Sequence, residues 1–464
     1  MANVHYRSMM GSSDAVIWHI EEDPQLRSTI TAVWELDGVP EPARMQESLQ
    51  RMVSAIPRLR QRVVPGRPRP SWVDVDDLEL ERHFVEHELD GSATSGDVHR
   101  FAERWLADGF DRTQPQWGLA LLTGLRGGRA AIVIKVHHAI ADGIGLVLML
   151  AAFTDLEPNP ERRQPANVVE LPLERPVFSR RRRVLLKLRR GLYAVAASPV
   201  RTIGHSLMTL RSALRLVWPS RTPLSSVMTQ RSGELAFNTR SVPFGDFKQA
   251  GRTAGGSLND TFVAVVVDAL DRYHLAVGDS PSRMSRVRVH MPVDVRAGRT
   301  ATVAGNQFVP ARVVLDVPHG RPAHRVTSIG RQLTSLQNEP ALRHINTVAA
   351  AVLRLGRRPT RWILGGMMKG VDVLASNVPG PNFPLYVAGV KVEHFHAFGP
   401  PAGAALNVTL FSYDGNVNLG ISTDTAAVTD IQILLECFDA ALDSVLSLCE
   451  RSRAMNPESL TRAV

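Results

Sequence analysis

His137-His138-Ala139-Ile140-Ala141-Asp142-Gly143 is the stretch that decides how this chain is organised. It follows an apolar run over 130–136, interrupted only by Lys135, and it precedes a second apolar run over 144–152. The first run predicts a buried strand and the second a buried helix. Two imidazoles and a carboxylate between such elements indicate a histidine that acts as a base near neutral pH, held rigidly at a strand end.

Strand-like and helix-like segments alternate on both sides of this stretch. On the N-terminal side, Ser12-Ser13-Asp14 is expected to cap a helix over 15–20, and further segments predict a strand over 30–36, a helix over 41–56, a strand over 131–136 and a helix over 146–153. On the C-terminal side, the patterns predict a helix over 261–273, a strand over 287–291, a strand pair over 405–411 and 417–423 joined by a turn at 413–416, and a helix over 431–448. This alternation predicts an α/β fold.

Length and punctuation predict more than one domain. A chain of 464 residues exceeds the size at which a single core stops growing. Prolines at 158, 160, 165, 172 and 176 indicate the exit from a first domain, and a second α/β region begins near 235. The predicted division is an N-terminal subdomain over 1–178, a basic and partly helical linker over 179–233, and a C-terminal subdomain over 234–464.

The positive charge is concentrated in the linker region. The formal net charge is +9, yet from Arg175 to Gly233 there is no Asp or Glu, while Arg and Lys number thirteen. The rest of the chain is therefore mildly acidic, which argues against a nucleic-acid-binding protein and for one localised anionic partner. Leucines alternate with these arginines, as in basic helices that lie on anionic membranes. A solvated linker is the alternative interpretation, with coenzyme A phosphates or nucleic acid as lesser possibilities.

Composition and termini favour a globular protein of a reducing compartment. Hydrophobic residues make up 44% and charged residues 21%, so a large core is possible. Cys437 and Cys449 fall on one predicted helix, about 18 Å apart, too far for a disulfide. No signal peptide and no apolar run of about 18 residues is present, so a cytoplasmic location is expected.

Several generic catalytic motifs are missing from the sequence. Gly143-Ile144-Gly145 lacks the third glycine of a dinucleotide site, and there is neither a phosphate loop nor a Gly-x-Ser-x-Gly elbow. Adjacent histidines do not match the helical spacing of a zinc site, so no metal and no resident cofactor is predicted. Because neighbouring side chains on a strand point to opposite faces, one of His137 and His138 should reach a cavity and the other should pack inside.

The motif His-His-x-x-x-Asp-Gly resembles the signature of the coenzyme-A-dependent acyltransferase superfamily, which includes peptide-synthetase condensation domains. Within it, the chain most closely resembles the bacterial wax ester synthase/diacylglycerol acyltransferase family. Further segments match that family in order along nearly the whole chain. They are 12–15, 115–117, Asn259-Asp260, 291–293 with 305–307, 376–381 and the last hairpin.

This resemblance implies two chloramphenicol-acetyltransferase-like subdomains, each a mixed sheet with flanking helices, and an active site in a tunnel at their interface. It assigns His138 as the general base, His137 to positioning, and Asp142 and Gly143 to the geometry of the loop. It implies transfer of a long-chain acyl group from acyl-CoA, which is a substrate, to diacylglycerol or a long-chain alcohol. Because such an acceptor and its product are poorly soluble, and because of the basic segment, we expect the enzyme at the inner face of the membrane or on lipid inclusions.

The other matched residues each have a structural alternative. Asn259 is the candidate oxyanion donor, or a cap of the helix at Thr261. Asp260 and Asn377 are candidate substrate-binding residues, or respectively a helix N-terminal charge and part of a rigid turn. Trp117 is a candidate substrate-binding residue or core packing.

Two departures from the family pattern concern the substrate more than the reaction. Gln116 stands where the family has leucine, and Leu224-Ser225 where it has Leu-Asn. Two other functions stay open: a condensation-type enzyme with a carrier-bound donor, and a catalytically silent lipid-binding relative.

Overall fold

A computed structural model describes residues 7–67, 69–141, 143–160, 222–278, 283–294, 308–337 and 352–455. Asp142, the basic segment up to residue 221, and the motif at 305–307 lie outside the described residues. The helices are α1 (Ser12–Ile20), α2 (Pro42–Ala55), α3 (Ser95–Ala107), α4 (Gly143–Phe153), α5 (Phe244–Thr253), α6 (Leu258–Val277), α7 (Pro322–Gln337), α8 (Arg357–Thr360), α9 (Gly366–Met368) and α10 (Ile431–Met455). A π-helical turn, Arg361–Gly365, joins α8 to α9.

The strands are β1 (Arg7–Met9), β2 (Thr29–Leu36), β3 (Gln61–Val64), β4 (Ser71–Asp74), β5 (Phe84–Ala93), β6 (Trp117–Leu125), β7 (Arg129–His137), β8 (Leu235–Pro243), β9 (Arg286–Asp294), β10 (Phe308–Asp316), β11 (Val373–Val378), β12 (Tyr386–Val387), β13 (Val390–Phe398), β14 (Leu406–Tyr413) and β15 (Asn416–Asp424). They form a three-stranded sheet, β1-β4-β3, and two six-stranded sheets. The predicted helices and strands on described residues are confirmed, with ends that differ by a few residues. The predicted cap of α1 is wrong, because the helix begins at Ser12 with Gly11 as its N-cap and residues 12–14 form its first turn.

The first large sheet has the order β12-β13-β2-β7-β6-β5. Its central strands β2 and β7 are almost wholly buried, as their apolar sequences predict. Lys135 is buried within β7. The strand runs antiparallel to both neighbours, pairing His137 with Thr29 and Val136 with Trp117. The strand that carries the His-His pair is therefore fixed from both sides.

The second large sheet has the order β10-β9-β11-β14-β15-β8. Apolar side chains from its strands form one core with α5, α6, α7 and α10. The turn between β14 and β15 is the predicted one, because Asp414 and Gly415 have φ values of 43° and 81°. Two positive φ values are what a tight two-residue hairpin requires.

The two large sheets do not correspond to the two predicted subdomains. Residues 386–398 fall in the predicted C-terminal subdomain, yet β12 and β13 complete the first sheet by pairing with β2. β13 also packs against β14 and β15 of the second sheet. At Gly420 of β15 a side chain would collide with the backbone carbonyl of Ala397 in β13, so glycine permits this close approach. The C-terminal part of the chain therefore supplies two strands of the first sheet, and the two sheets are in close backbone contact at Gly420.

Within the described residues, no helix is both long and apolar enough to cross a membrane. Cys437 and Cys449 are both free and buried along α10, as the predicted helix requires.

Candidate active site

The His-His pair lies at the point where strand β7 ends. His137 is the last residue of the strand and is buried, while His138 begins the turn that leads towards α4 and is half-buried. The backbone N–H of His137 donates to the Gln116 carbonyl (2.9 Å), and that of His138 donates to the Ser28 carbonyl (2.8 Å). The pair thus has one inward and one more accessible member, in agreement with the alternation predicted from the sequence.

Both ring nitrogens of His137 are engaged. The backbone N–H of Ala139 donates to Nδ1 (3.0 Å), so the ring proton resides on Nε2 and donates to the carboxylate of Glu21. Trp18 packs against the same ring, with 5.1 Å between ring centroids. This leaves His137 no nitrogen for a substrate proton, and it ties the turn after β7 to the end of α1.

Lys135 explains the single charge in the apolar run. It lies two residues before His137 and so shares its face of β7. Its Nζ donates to the carbonyls of Trp105 (2.9 Å) and Gly109 (3.0 Å), at and beyond the end of α3, and lies 4.3 Å from the Trp105 ring centroid. Burial lowers the pKa of this lysine to about 8. Lys135 therefore holds α3 against the central strand.

Gln116 and Trp117 pack beside the His-His strand. Trp117 is buried, donates from Nε1 to the Leu59 carbonyl (2.8 Å) and stacks on His83, whose pKa is lowered mainly by burial. Gln116 donates from Nε2 to the Asp111 carbonyl (2.7 Å). The geometry favours the core-packing alternative for Trp117. The Gln116 side chain also holds the preceding loop by a hydrogen bond that a leucine could not form.

Asn259 and Asn377 come together although 118 residues separate them. Asn259 lies in the first turn of α6, and Asn377 lies near the end of β11. The Asn377 side-chain amide donates to Oδ1 of Asn259 (3.4 Å). The contact orients the Asn259 amide and leaves its Nδ2 hydrogens to donate elsewhere.

Asp260 forms a capping box with Ser257. Its Oδ2 accepts from the backbone N–H (2.8 Å) and the hydroxyl (2.7 Å) of Ser257, whose Oγ accepts from the Asp260 N–H (3.1 Å). Helix α6 therefore begins at Leu258 with Ser257 as its cap, one turn before the predicted start, and Asn259 does not cap it. This geometry favours the helix-terminus alternative for Asp260.

The departure at Leu224-Ser225 also has a structural explanation. The backbone N–H groups of both residues donate to Oδ1 of the buried Asp372, each at 2.9 Å. Burial raises the pKa of that carboxyl, against the lowering effect of its hydrogen bonds. The Ser225 hydroxyl donates to Nε2 of His274 (2.7 Å), since the other ring nitrogen contacts the Leu270 carbonyl. The serine therefore fastens the end of the linker region to α6 and to the residue that precedes β11.

Sequence reasoning missed Glu21. It follows α1 directly and stands beside Glu22 and Asp23, so it resembles a solvated acidic run, and no local signal points to His137. Among the described residues, no group of three or more His, Cys, Asp or Glu side chains is arranged to hold a metal ion. Asp142 lies outside the described residues, and Gly143 is the first residue of α4.

Two family profiles match this chain. The wax ester synthase/diacylglycerol acyltransferase catalytic domain matches residues 10–262, and the WS/DGAT C-terminal domain matches residues 304–445. A putative diacylglycerol O-acyltransferase of Mycobacterium tuberculosis is 31% identical over 457 residues, 95% of this chain and 92% of that protein. A probable diacylglycerol O-acyltransferase of the same organism is 25% identical over 395 residues, 83% of each protein.

Solved structures show the same fold. The wax ester synthase/diacylglycerol acyltransferase from Marinobacter aquaeolei VT8 superposes with a TM-score of 0.61 at 20% identity, covering 96% of this chain and 100% of that chain. The first condensation domain of the calcium-dependent antibiotic synthetase gives 0.58 at 16% identity, with 96% of each covered. The fold is thus the predicted pair of chloramphenicol-acetyltransferase-like subdomains. The catalytic-domain profile spans over half of the chain, so the protein belongs to the wax ester synthase/diacylglycerol acyltransferase family and is an acyltransferase.

Proposed function

We propose that this enzyme transfers a long-chain acyl group from acyl-CoA to the hydroxyl of diacylglycerol or of a long-chain alcohol, with His138 as the general base. The observation that carries the proposal is the asymmetry of the His-His pair. His137 uses both ring nitrogens inside the fold, whereas His138 is half-buried at the strand end. This difference supports His138, rather than His137, as the residue that receives the proton of the substrate.

The proposed reaction is direct, without an acyl-enzyme. The neutral imidazole of His138 takes the proton of the acceptor hydroxyl as its oxygen attacks the thioester carbonyl. The carbon–oxygen bond forms, and the negative charge on the former carbonyl oxygen is stabilised by hydrogen-bond donors. The carbon–sulfur bond then breaks, and His138 returns the proton to the sulfur of coenzyme A. The ester and the free thiol are the products.

Asn259 is our candidate oxyanion donor. Its Oδ1 is held by Asn377, so its Nδ2 is oriented and available to donate. The two histidines lie at the end of β7 in the first sheet and in the turn that follows it, and the two asparagines lie on elements of the second subdomain. We place the reaction between them, in a tunnel at the interface of the subdomains.

The acceptor and the product are poorly soluble, which favours catalysis on a lipid surface. We propose that the enzyme associates peripherally with the inner face of the membrane or with lipid inclusions. The thirteen basic residues between 175 and 233 support an anionic surface as the partner. No role for nucleic acid is proposed.

Replacing His138 tests the base assignment. We expect His138→Ala to lower turnover by about 10²- to 10⁴-fold, the usual contribution of a positioned general base, and to leave thermal stability close to wild type. His324→Ala, which removes an exposed histidine on α7, is the matched control and should keep full activity. Substantial ester synthesis by a folded His138→Ala protein would show that His138 is not the general base.

A donor and acceptor matrix separates the remaining functions. Labelled acyl-CoA or a carrier-bound acyl group is supplied with diacylglycerol, a long-chain alcohol or no acceptor, and the lipids are then resolved by chromatography. We expect thiol release from acyl-CoA only when an acceptor is present. Activity restricted to the carrier-bound donor would indicate a condensation-type reaction. No activity with any combination would indicate a silent lipid-binding relative.

A further inference from the structure

Two exposed apolar side chains lie among exposed arginines in one short segment of the chain. Leu355 is 63% exposed and Trp362 is 59% exposed. Four exposed arginines lie in the same short segment: Arg354, Arg357, Arg358 and Arg361. We name these six residues the Arg–Trp patch. Large apolar side chains exposed together beside one sign of charge are typical of an interaction surface.

The patch is fastened to the body of the protein. On the inner side of the same segment, Val352 and Leu364 pack with Ile20 and Leu26. Leu353 packs in another cluster with Trp18 and Ala139. Gly356, with φ of 99°, turns the chain between Leu355 and α8. The exposed side chains therefore project from a fixed base.

The charge of the patch is strongly positive. From residue 340 to residue 371 the sequence contains no Asp or Glu. Among the described residues, the carboxylate that pairs with the patch is that of Glu22, which contacts Arg357 and, at 3.6 Å, Arg361. In the part of the chain that the structure describes, neither Arg354 nor Arg358 pairs with a carboxylate. The surface thus offers cations that an external anion can bind.

The patch lies next to the His-His turn. Glu21 contacts His137, while its neighbour Glu22 contacts the arginines of the patch. Leu353, two residues before the exposed Leu355, shares a cluster with Ala139, the residue after His138. A molecule that covers the patch would therefore sit beside the end of the strand that carries the catalytic motif.

We propose that the Arg–Trp patch docks on an anionic phospholipid bilayer and brings the site beside the membrane from which a lipid acceptor is drawn. Arginine supplies attraction to anionic headgroups, and tryptophan is favoured at the interface between headgroups and acyl chains. Leucine adds buried apolar area. Binding of the coenzyme A phosphates would explain the arginines but not the exposure of Leu355 and Trp362. This inference deepens the proposed membrane partnership and does not depend on the basic segment over 179–221.

Vesicle binding by the full chain tests the charge of the patch. Co-sedimentation is measured with phosphatidylcholine vesicles and with vesicles that also contain phosphatidylglycerol. For Arg354→Gln/Arg358→Gln we expect about tenfold or more weaker partitioning to the anionic vesicles, since each arginine near such a surface contributes appreciably. Arg126→Gln/Arg252→Gln removes two exposed arginines elsewhere and should bind like wild type. Equal binding by both double variants would overturn the proposal.

The apolar pair is tested in the same assay. Leu355→Ser/Trp362→Ser should also weaken partitioning several-fold, because burial of apolar area drives interfacial binding. Val39→Ser/Phe383→Ser is the matched control, since these side chains are 52% and 49% exposed. Unchanged binding of the patch variant would contradict insertion of this surface.

Tryptophan fluorescence locates the contact. Trp18, Trp34, Trp72 and Trp117 are buried, and Trp362 is the exposed tryptophan among the described residues. We expect brominated lipids to quench wild-type emission and to quench Trp362→Phe much less, although that variant still binds vesicles. Equal quenching in Trp362→Phe would overturn the proposal and point to another tryptophan, such as Trp218 of the basic segment.

Kinetics distinguish this inference from the proposed reaction. With a short-chain acyl-CoA and a water-soluble alcohol, the patch variants should keep the kcat and the KM for acyl-CoA of wild type. A raised KM for acyl-CoA together with unchanged vesicle binding would show that the arginines serve coenzyme A instead. If the wild-type protein binds vesicles but catalyses no acyl transfer, the proposed function is wrong while the proposed docking surface is still supported.

Discussion

At the scale of single residues, Glu21 and His137 link the end of α1 to the turn that follows β7. Glu21→Ala removes the acceptor of the buried His137 Nε2–H, which we expect to cost about 1–3 kcal/mol of unfolding free energy. Because the Ala139 N–H is held by the same ring, the turn that carries His138 should loosen and kcat should fall. Urea unfolding and initial rates measure the two effects.

Two variants distinguish positioning from a general loss of stability. Glu21→Gln keeps an oxygen acceptor and should restore both stability and kcat towards wild type. Glu22→Ala removes the adjacent carboxylate, whose partners are partly exposed arginines, and should change little. Equal losses for Glu21→Ala and Glu22→Ala, or no recovery in Glu21→Gln, would count against the positioning role.

At the scale of elements, the first turn of α6 contains two adjacent residues, Asn259 and Asp260, for which we expect different roles. Asp260→Ala removes one half of the capping box and should destabilise the protein by about 1 kcal/mol while kcat is retained. Asn259→Ala should leave stability nearly unchanged and lower kcat by about 10²- to 10³-fold if its amide stabilises the oxyanion.

Thermal melting and steady-state rates on the two variants provide the measurement. Loss of activity in Asp260→Ala at normal stability, with activity retained in Asn259→Ala, would contradict both roles. It would indicate that Asp260, and not Asn259, takes part in the reaction.

At the scale of the whole molecule, the close approach of the two sheets depends on Gly420. Gly420→Ala would place a methyl group against the Ala397 carbonyl, a backbone atom that cannot move aside like a flexible side chain. We expect a loss of at least about 1–3 kcal/mol in unfolding free energy. Gly245→Ala is the control, because a methyl group there meets open space. A Gly420→Ala protein as stable as the control would show that the sheets can separate without cost.

Much of the architecture was predictable because periodicity is local. The apolar runs around the His-His motif, the hairpin turn at 413–416 and the long final helix each occupy one continuous segment, and the structure has all of them. Helix α6 begins one turn before the start that its apolar run predicts, because Thr261 begins the run while the capping box at Ser257 lies outside it. The pairing of β13 with β2, which brings β12 and β13 into the first sheet, could not be predicted from these strands alone. The sequence of a strand does not indicate which strand it pairs with.

Patterns along the chain were enough to predict the alternation of strands and helices, the family, and that only one of His137 and His138 faces a substrate. Folding alone brings the ring of His137 to Glu21, which lies 116 residues away in the sequence. It also decided that Asn259 and Asn377 meet, and that Leu355 and Trp362 stay exposed beside the His-His turn. Periodicity and propensity describe neighbours along the chain, whereas hydrogen bonds and burial are set by residues that folding brings together from distant segments.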